Sequence, residues 1–119
     1  MARNRATAIV TCGDKVLLVR DRGRPTYALP GGGIEDDERP ESAVVRELRE
    51  ETTLEAASVT RLFTFGGKYN DHEVFHVETS GEARINEEVE GFTWWDGIDE
   101  TPVYPHVRGI FEAWRETTR

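Results

Sequence analysis

The chain has 119 residues, of which 37% are hydrophobic, and a formal net charge of −8. This length is typical of one domain, which we predict over residues 1–119, and it is enough to bury a core. The acidic balance disfavours a nucleic-acid polymer as a partner, because a polyanion would be repelled, and no apolar run is long enough for a membrane span.

Charge is unevenly distributed along the chain. Residues 35–55 carry nine acidic and three basic side chains, and residues 82–100 carry seven acidic and one basic, whereas residues 1–34 carry six basic and two acidic. Two acidic segments that meet in space would suit divalent cations, and the basic segment would suit the anionic end of a small substrate. The N-terminus lacks the apolar stretch of a signal peptide, so we expect a cytoplasmic location. The lone Cys12 lies in an apolar run, which predicts a buried structural thiol.

The N-terminal part of the chain predicts strands. Residues 6–12 are β-branched and apolar, residues 13–14 (Gly-Asp) are a turn signal, and residues 15–20 are typical of the returning strand of a hairpin. Residues 27–29 predict a short strand. The three glycines at residues 31–33 predict a flexible loop.

Residues 40–52 predict a helix. Pro40 suits its first turn and Glu41 suits its positive end, whereas the β-branched pair Thr52 and Thr53 weakens it. At about 100° per residue, such a helix presents an apolar flank, a neighbouring acidic stripe and a basic far side. The apolar flank consists of Val44, Val45 and Leu48. The acidic stripe consists of Glu47, Glu50 and Glu51, and the basic far side of Arg46 and Arg49.

The second half of the chain predicts both strands and a helix. Strands are expected at residues 59–65, 72–79 and 91–95, and an amphipathic helix at Pro105–Thr117. Strands and hairpins combined with two helices suggest a mixed sheet between helices, in an α/β or α+β fold.

The acidic stripe is the strongest functional signal in the sequence. Three carboxylates on one helix face offer hard oxygen ligands to Mg²⁺ or Mn²⁺, and a metal there can share oxygens with a diphosphate. The glycines directly upstream let backbone groups approach metal and phosphate. The alternative is a solvated, salt-bridged surface, because like-charge pairs at this spacing cost only roughly a few tenths of a kcal/mol.

The acidic stripe belongs to a longer pattern. Residues 32–54 read Gly32-x5-Glu38-x7-Arg46-Glu47-Leu48-Arg49-Glu50-Glu51-x-Thr53-Leu54, preceded by Leu29-Pro30-Gly31. This segment resembles the Nudix box of the Nudix hydrolase superfamily, in its MutT-like branch. The resemblance implies a Nudix-type α/β/α sandwich with a mixed β-sheet between helices. It also implies a hydrolase that acts on phosphoric anhydride bonds.

The resemblance implies metal-binding and catalytic roles for the acidic positions. The implied ligands of Mg²⁺ or Mn²⁺ are the carbonyl of Gly31 and the side chains of Glu47, Glu50 and Glu51. Glu47 is also a position assigned in the family as the base or orienter of the attacking water. Some family members take the base from a later loop instead, where Glu87 and Glu88 fall in this chain. Of these two we favour Glu88 as the catalytic residue; the alternative is an ordinary polar turn.

The same resemblance gives other box residues structural roles. Arg46 matches an arginine that holds the box together by pairing with glutamates such as Glu38, and Gly32 is the first residue of the box. Three positions depart from the family pattern without removing a metal ligand. Thr53 replaces the final glycine and costs turn strain if its φ is positive. The other departures are Asp37, in place of a glycine, and Arg39, in place of an N-cap threonine.

The implied substrate is a small-molecule nucleotide, a nucleoside diphosphate linked to another moiety. We expect a nucleoside triphosphate first; ADP-ribose or a nucleotide sugar is the alternative. Candidate phosphate-binding residues, or else a solvated basic loop, are Arg20, Arg22 and Arg24. Candidates for stacking on a base, or else for packing, are Tyr27, Phe65, Tyr69 and Phe75. His72 and His76 share a strand face about 13 Å apart, too far to share a metal, so packing in a pocket or at the surface is expected.

Two other classes of function stay open. A non-catalytic nucleotide-binding or sensor domain would keep the fold, and a salt-bridged domain would bind no ligand at all. The complete set of Glu47, Glu50 and Glu51 argues against the sensor domain, whereas the changed loop residues argue mildly for it. Dimers are common in the family, so a homodimer is compatible with the chain.

Overall fold

The computed structural model describes residues 3–118, so residues 1, 2 and 119 of the predicted domain lie outside the described residues. Seven strands and two helices occur in this part of the chain. In order, they are β1 (Arg3–Ile9), β2 (Thr11–Cys12), β3 (Lys15–Asp21), β4 (Gly31–Gly33), α1 (Pro40–Thr52), β5 (Glu55–Gly66), β6 (Asn70–Ser80), β7 (Val89–Trp95) and α2 (Pro105–Thr117). Neither helix has the length and apolarity that a membrane span requires.

The strands form two sheets. One has the order β4-β1-β6-β5, with β1 parallel to β6 and the other pairs antiparallel; the second is antiparallel, with the order β2-β3-β7. The parallel pairing of β1 with β6 brings together segments far apart in sequence, including Arg5 opposite His72. The predicted mixed α and β class is confirmed, although the strands divide over two sheets.

Alternation along the strands separates two apolar cores. Ala6 and Ala8 of β1 pack in one cluster with Leu48 of α1, whereas Ile9 packs in the other with Ile110 of α2. Strand β6 shows the same alternation: Phe75 and Val77 belong to the first cluster and Val74 to the second. This is expected when both faces of a sheet are covered. The strands therefore lie between α1 and α2, as the predicted α/β/α sandwich requires.

Three expectations for the N-terminal part were wrong. Residues 6–12 are not one strand, because Val10 separates β1, which pairs with β4 and β6, from β2, which alone makes the predicted hairpin with β3. The glycines Gly31–Gly33 form strand β4 against β1 instead of a flexible loop. Residues 27–29 make only isolated bridges, from Ala28 to Val19 and from Tyr27 to Val103.

Cys12 is a further correction. It is exposed, not buried, and its thiol is free. Cys12 is the second residue of the two-residue strand β2 and directly precedes the turn at Gly13 and Asp14. The end of the apolar run is therefore at the surface. The local run of apolar residues therefore overstated how far the burial extends.

Candidate functional site

The acidic face of α1 lies against the glycine strand β4. The Gly31 N–H donates a hydrogen bond of 2.8 Å to Oε1 of Glu51. Glu47 lies over Gly32, where a Cβ atom would come within 2.5 Å of either carboxylate oxygen of Glu47. The absence of a Cβ at Gly32 therefore leaves room for the Glu47 carboxylate against the backbone of β4.

Arg46 gathers several of the predicted box residues. Its Nε and Nη2 donate to Glu38 at 2.8 and 2.9 Å, and Nη2 also donates to the carbonyl of Gly33 at 3.1 Å. Its Nη1 donates to Oε1 of Glu47 at 2.9 Å and to Oε2 of Glu50 at 3.4 Å. Arg46 therefore does not stand on the far side of the helix, as the helical period suggested. Its long side chain turns back towards the carboxylates.

Burial makes two of the carboxylates costly to ionise. The pKa of Glu51 is raised to about 8, first by desolvation and then by the nearby charges of Glu47 and Asp21. Desolvation also raises the pKa of Glu47, against the effect of its hydrogen bond from Arg46. The opposite holds at Glu38, whose pKa is lowered to about 2 by the paired Arg46 guanidinium. The Glu47–Glu51 region is therefore a place where added positive charge is stabilising.

The donors present at this face fit a hard divalent cation in chemical kind. They are carboxylate and carbonyl oxygens, which Mg²⁺ and Mn²⁺ prefer. Within residues 3–118, however, no group of three or more His, Cys, Asp or Glu is already arranged to hold a metal. Arg46 contacts both Glu47 and Glu50, and the carbonyl of Gly31 accepts a 3.2 Å hydrogen bond from Arg5. The Glu50 side chain, 52% exposed, is the one with most freedom to turn.

The segment between β6 and β7 reaches the C-terminal end of α1. Nδ2 of Asn86 donates to the carbonyls of Glu51 and Glu50 at 2.8 and 3.2 Å. The candidate residues Glu87 and Glu88 follow directly and are exposed. Asn86 was not predicted as a site residue. Asparagine commonly accepts hydrogen bonds from backbone N–H groups two or three residues later, as Asn86 does from Glu88 and Val89, and this local preference could have indicated it.

Two of the three candidate phosphate-binding arginines contact this segment or the strand that follows it. Nη1 of Arg20 donates to Oε1 of Glu90 at 2.7 Å. Arg22 donates to the carbonyls of Asn86 and Glu87 at 2.8 and 3.0 Å. The side chain of Arg24 is exposed. Arg20 and Arg22 thus already have protein partners.

A separate cavity of about 550 Å³ opens between the β5–β6 turn and the start of α2. Its aromatic lining residues are Phe65, Tyr69, His72, Tyr104 and His106. The imidazoles of His72 and His106 stack with centroids 4.8 Å apart, and Tyr104 stacks on His106 at 5.8 Å. Tyr69 is 71% exposed at the rim.

The histidine and stacking predictions have mixed outcomes. His72 is buried, accepts or donates a 2.9 Å hydrogen bond with Thr7 Oγ1 and lines the cavity, as pocket packing requires. Phe75 is fully buried in the core and has no face free for a base. Tyr104 and His106 were missed because nothing local distinguishes them from ordinary residues around a helix start. Burial lowers the pKa of His72 to about 4 and also lowers that of His106.

Arg5 links the cavity to the acidic face. On β1 it lies between Gly33 of β4 and His72 of β6. Desolvation dominates the raised pKa values of Glu47 and Glu51 and the lowered pKa values of the two histidines; the charge of Arg5 partly offsets the first effect and adds to the second. Adjacent strands are about 4.8 Å apart, so β4 and β6 are separated by roughly 10 Å. Arg5 was not among the residues predicted to belong to the site, because its position depends on the pairing of β1 with β4 and β6.

Comparison with known proteins identifies the family. A model of the NUDIX domain matches residues 2–113. The uncharacterized Nudix hydrolase YvcI of Bacillus subtilis is 29% identical over 110 residues, which cover 85% of this chain and 70% of YvcI. The NAD-capped RNA hydrolase NudC of Pseudomonas aeruginosa is 35% identical over 108 residues, which cover 86% of this chain and 38% of NudC. The crystal structure of a MutT NUDIX hydrolase from Burkholderia pseudomallei has a TM-score of 0.82 at 25% identity, covering 94% of this chain and 97% of that one. The chain therefore belongs to the Nudix family and is a Nudix hydrolase.

Proposed function

We propose that the protein is a divalent-metal-dependent pyrophosphohydrolase of nucleoside diphosphates linked to another moiety, with nucleoside triphosphates as its first expected substrates. The observation that carries this proposal is the packing of the acidic face of α1 on β4. There, Glu51 accepts from the Gly31 N–H and Glu47 fills the space over Gly32. Membership of the Nudix family supports the same reaction class.

The residues that would hold Mg²⁺ or Mn²⁺ are the carbonyl of Gly31 and the side chains of Glu47, Glu50 and Glu51. When bound, such an ion neutralises phosphate charge and lowers the pKa of a coordinated water. The protein contributes the arrangement of the donors. Arg46 fixes the start of the box through Glu38 and holds Glu47 by a 2.9 Å contact. Glu47, less exposed than Glu50, is the residue that we assign to orienting the attacking water.

The aromatic cavity is the site that we assign to the base of the nucleotide. Its volume of about 550 Å³ and its stacked rings suit a flat heterocycle, with exposed Tyr69 able to close over it. Arg5 lies between this cavity and the acidic face, and we assign it to the anionic phosphates. Arg20, Arg22 and Arg24 stay secondary candidates, because Arg20 is engaged by Glu90 of β7 and Arg22 by the segment between β6 and β7.

The relatives support the reaction class more than a particular substrate. NudC is named as an NAD-capped RNA hydrolase, but the chain spans only 38% of its length. That name supports a hydrolase acting on a nucleotide-containing substrate, which is compatible with the function proposed for this chain. The identity of the second moiety therefore has to be measured. Cytoplasmic location and a homodimer stay predictions.

A hydrolysis panel tests the proposal. Wild type, Glu50→Gln and Glu112→Gln would be assayed for phosphate and pyrophosphate release from nucleoside triphosphates, ADP-ribose and nucleotide sugars, with Mg²⁺. Glu112 is an exposed carboxylate on α2 and controls for loss of one negative charge. We expect turnover by wild type and Glu112→Gln, and a loss of at least about 100-fold in kcat for Glu50→Gln.

Two outcomes would reject the proposal in different ways. A nucleotide that binds tightly to wild type without being turned over would identify the chain as a non-catalytic sensor. If neither Mg²⁺ nor any nucleotide raises the melting temperature, the acidic face is a structural salt-bridged surface, because a ligand of the folded state must stabilise it.

A further inference from the structure

The C-terminal end of α1 is capped by the segment of residues 82–88, which joins β6 to β7. The last four carbonyls of a helix have no partner within it. In α1, that of Arg49 accepts from the Thr53 N–H and that of Thr52 accepts from the Arg84 N–H, both at 2.9 Å. The carbonyls of Glu50 and Glu51 both accept from Nδ2 of Asn86. Three of the four caps therefore come from one distant segment.

Asn86 also shapes the segment itself. Its Oδ1 accepts hydrogen bonds from the N–H groups of Glu88 and Val89 at 2.7 and 3.0 Å. The side-chain amide of Asn86 thus binds two different elements: its Nδ2 binds the end of α1, and its Oδ1 binds the turn that contains Glu88. Because the side chain has only two torsion angles, the turn and the helix end are fixed relative to each other.

Arg22 binds the same turn through both its backbone and its side chain. Its backbone N–H donates to the carbonyl of Glu88 at 2.8 Å, and its Nε and Nη2 donate to the carbonyls of Glu87 and Asn86 at 3.0 and 2.8 Å. Glu90 completes the contact by accepting from the Gly23 N–H at 3.0 Å and from Arg22 Nη1 at 3.4 Å. Three consecutive carbonyls of the turn are therefore bound by one residue.

Thr53, which replaces the usual final glycine of the box, also contacts the 82–88 segment. It adopts the left-handed conformation with φ of 65°, which a β-branched residue rarely does. Its hydroxyl donates to the carbonyl of Glu82 at 2.8 Å, at the beginning of the same segment. The threonine at this position thus adds a contact to the 82–88 segment that a glycine could not make.

We propose that Asn86 and Arg22 form a clasp that positions the Glu87–Glu88 turn against the C-terminal end of α1, next to the backbone of Glu50 and Glu51. In this arrangement Asn86 is a positioning residue and acts on the reaction through Glu88. The proposal rests on the proposed hydrolytic function. It gives Arg22 a role in place of the phosphate contact considered from the sequence.

The experiment compares Asn86→Ala with a matched control, Asp96→Ala. Oδ1 of Asp96 accepts from the N–H groups of Ile98 and Asp99, the same kind of turn, in the β7–α2 connection. Amide hydrogen exchange is measured without metal. We expect Asn86→Ala to speed exchange at Glu88, Val89 and Arg84 at least tenfold, and Asp96→Ala to leave these amides unchanged. If Asn86→Ala does not fold, Asn86→Asp is used. It keeps the acceptor oxygen and loses the donor, so Arg84 alone is expected to exchange faster.

A double-mutant cycle with Glu88→Gln tests whether Asn86 acts through Glu88. Asn86→Ala is expected to lower kcat about tenfold at unchanged KM in the wild-type background, and to have no further effect in Glu88→Gln. Asp96→Ala is expected to keep kcat within twofold of wild type. Equal effects of Asn86→Ala in both backgrounds, or unchanged exchange at the three amides, would overturn the proposal.

A readout without substrate separates this proposal from the proposed function. Mn²⁺ alone is titrated into wild type, the two single variants and the double variant. Glu88 is not one of the four proposed ligands, but its negative charge near the bound ion should strengthen binding. We therefore expect both single variants to weaken Mn²⁺ binding, and the double variant to be no weaker than Glu88→Gln. If wild type hydrolyses no nucleotide but this pattern holds, the hydrolytic function fails and the clasp stands. Additive losses, or full affinity in Asn86→Ala, would reject the clasp even in an active enzyme.

Discussion

The carboxylate of Glu47 occupies the space that a side chain at Gly32 would need. A Cβ atom there would lie 2.5 Å from each of its oxygens, well inside van der Waals contact. Glu47 is also held by Arg46, at 2.9 Å, and cannot simply swing away without breaking that ion pair. The glycine strand and the acidic helix are therefore fitted to one another at this point.

Gly32→Ala should therefore displace Glu47. We expect a loss of about 1–3 kcal/mol in the free energy of unfolding, typical of overpacking, together with a fall in kcat of at least tenfold. Gly33→Ala is the matched control, because a Cβ at Gly33 has nothing within 4 Å. Urea unfolding and steady-state assays measure both effects. Equal stability and activity in the two variants would contradict the close fit.

The Arg46–Glu38 pair should make stability depend on acidity. The pKa of Glu38 is lowered to about 2 from 4.5, so its ionised form is favoured by folding. Its contribution is therefore complete above about pH 4.5 and is lost as the pH falls towards 2. We expect the stability difference between wild type and Glu38→Gln, measured by urea unfolding, to be smaller at pH 3 than at pH 6. Glu41→Gln, which removes the more exposed pair with Arg39, is the control and should change little at either pH.

His72 should also make stability pH-dependent, with a different window. Its pKa is lowered from 6.5 to about 4 by burial, so between these values the unfolded chain binds a proton that the folded one does not. Stability therefore falls as the pH decreases from 6.5 to 4, by on the order of 3 kcal/mol. His72→Gln should remove most of this slope in unfolding experiments. His76→Gln controls for loss of a histidine from β6, and an unchanged slope in His72→Gln would rule out the assignment.

Two substitutions at Thr53 separate strain from hydrogen bonding. Thr53→Gly relieves the left-handed backbone, whereas Thr53→Ala keeps that strain; both lose the hydroxyl contact to the carbonyl of Glu82. Thr53→Gly should be the more stable of the two by roughly 1 kcal/mol, as judged by thermal unfolding. If the two variants melt together, φ at this position is not a source of strain.

Local chemistry made the helices predictable. Both were expected at Pro40 to about Thr52 and at Pro105–Thr117, and both are found with these bounds because proline at the first turn and a helical apolar period are local signals. In the second half of the chain the strands were predicted at the right places but too short. For example, a strand was expected at residues 59–65, and the structure has one at Glu55–Gly66. Irregular pairing between Ala56 and Ser58 and between Arg61 and Phe63 disturbs the alternation there.

Long-range pairing decided what could not be predicted. The glycines of β4 have no strand propensity of their own and become a strand only because β1 pairs with them. Asn86 and His106 gain their roles from partners 35 and 34 residues away, at Glu51 and His72. The acidic positions were found because their spacing on one helix is local. The residues that surround them in space could not be predicted, because they come from other parts of the chain.

The metal dependence of hydrolysis in Glu51→Gln tests the central claim most directly. The rate of nucleotide hydrolysis would be measured for wild type and Glu51→Gln over a range of Mg²⁺ concentrations and in EDTA. The proposed site predicts turnover by wild type only with metal, and at least about a 100-fold loss in Glu51→Gln at saturating Mg²⁺. Hydrolysis by wild type in EDTA, or wild-type rates in Glu51→Gln, would contradict it.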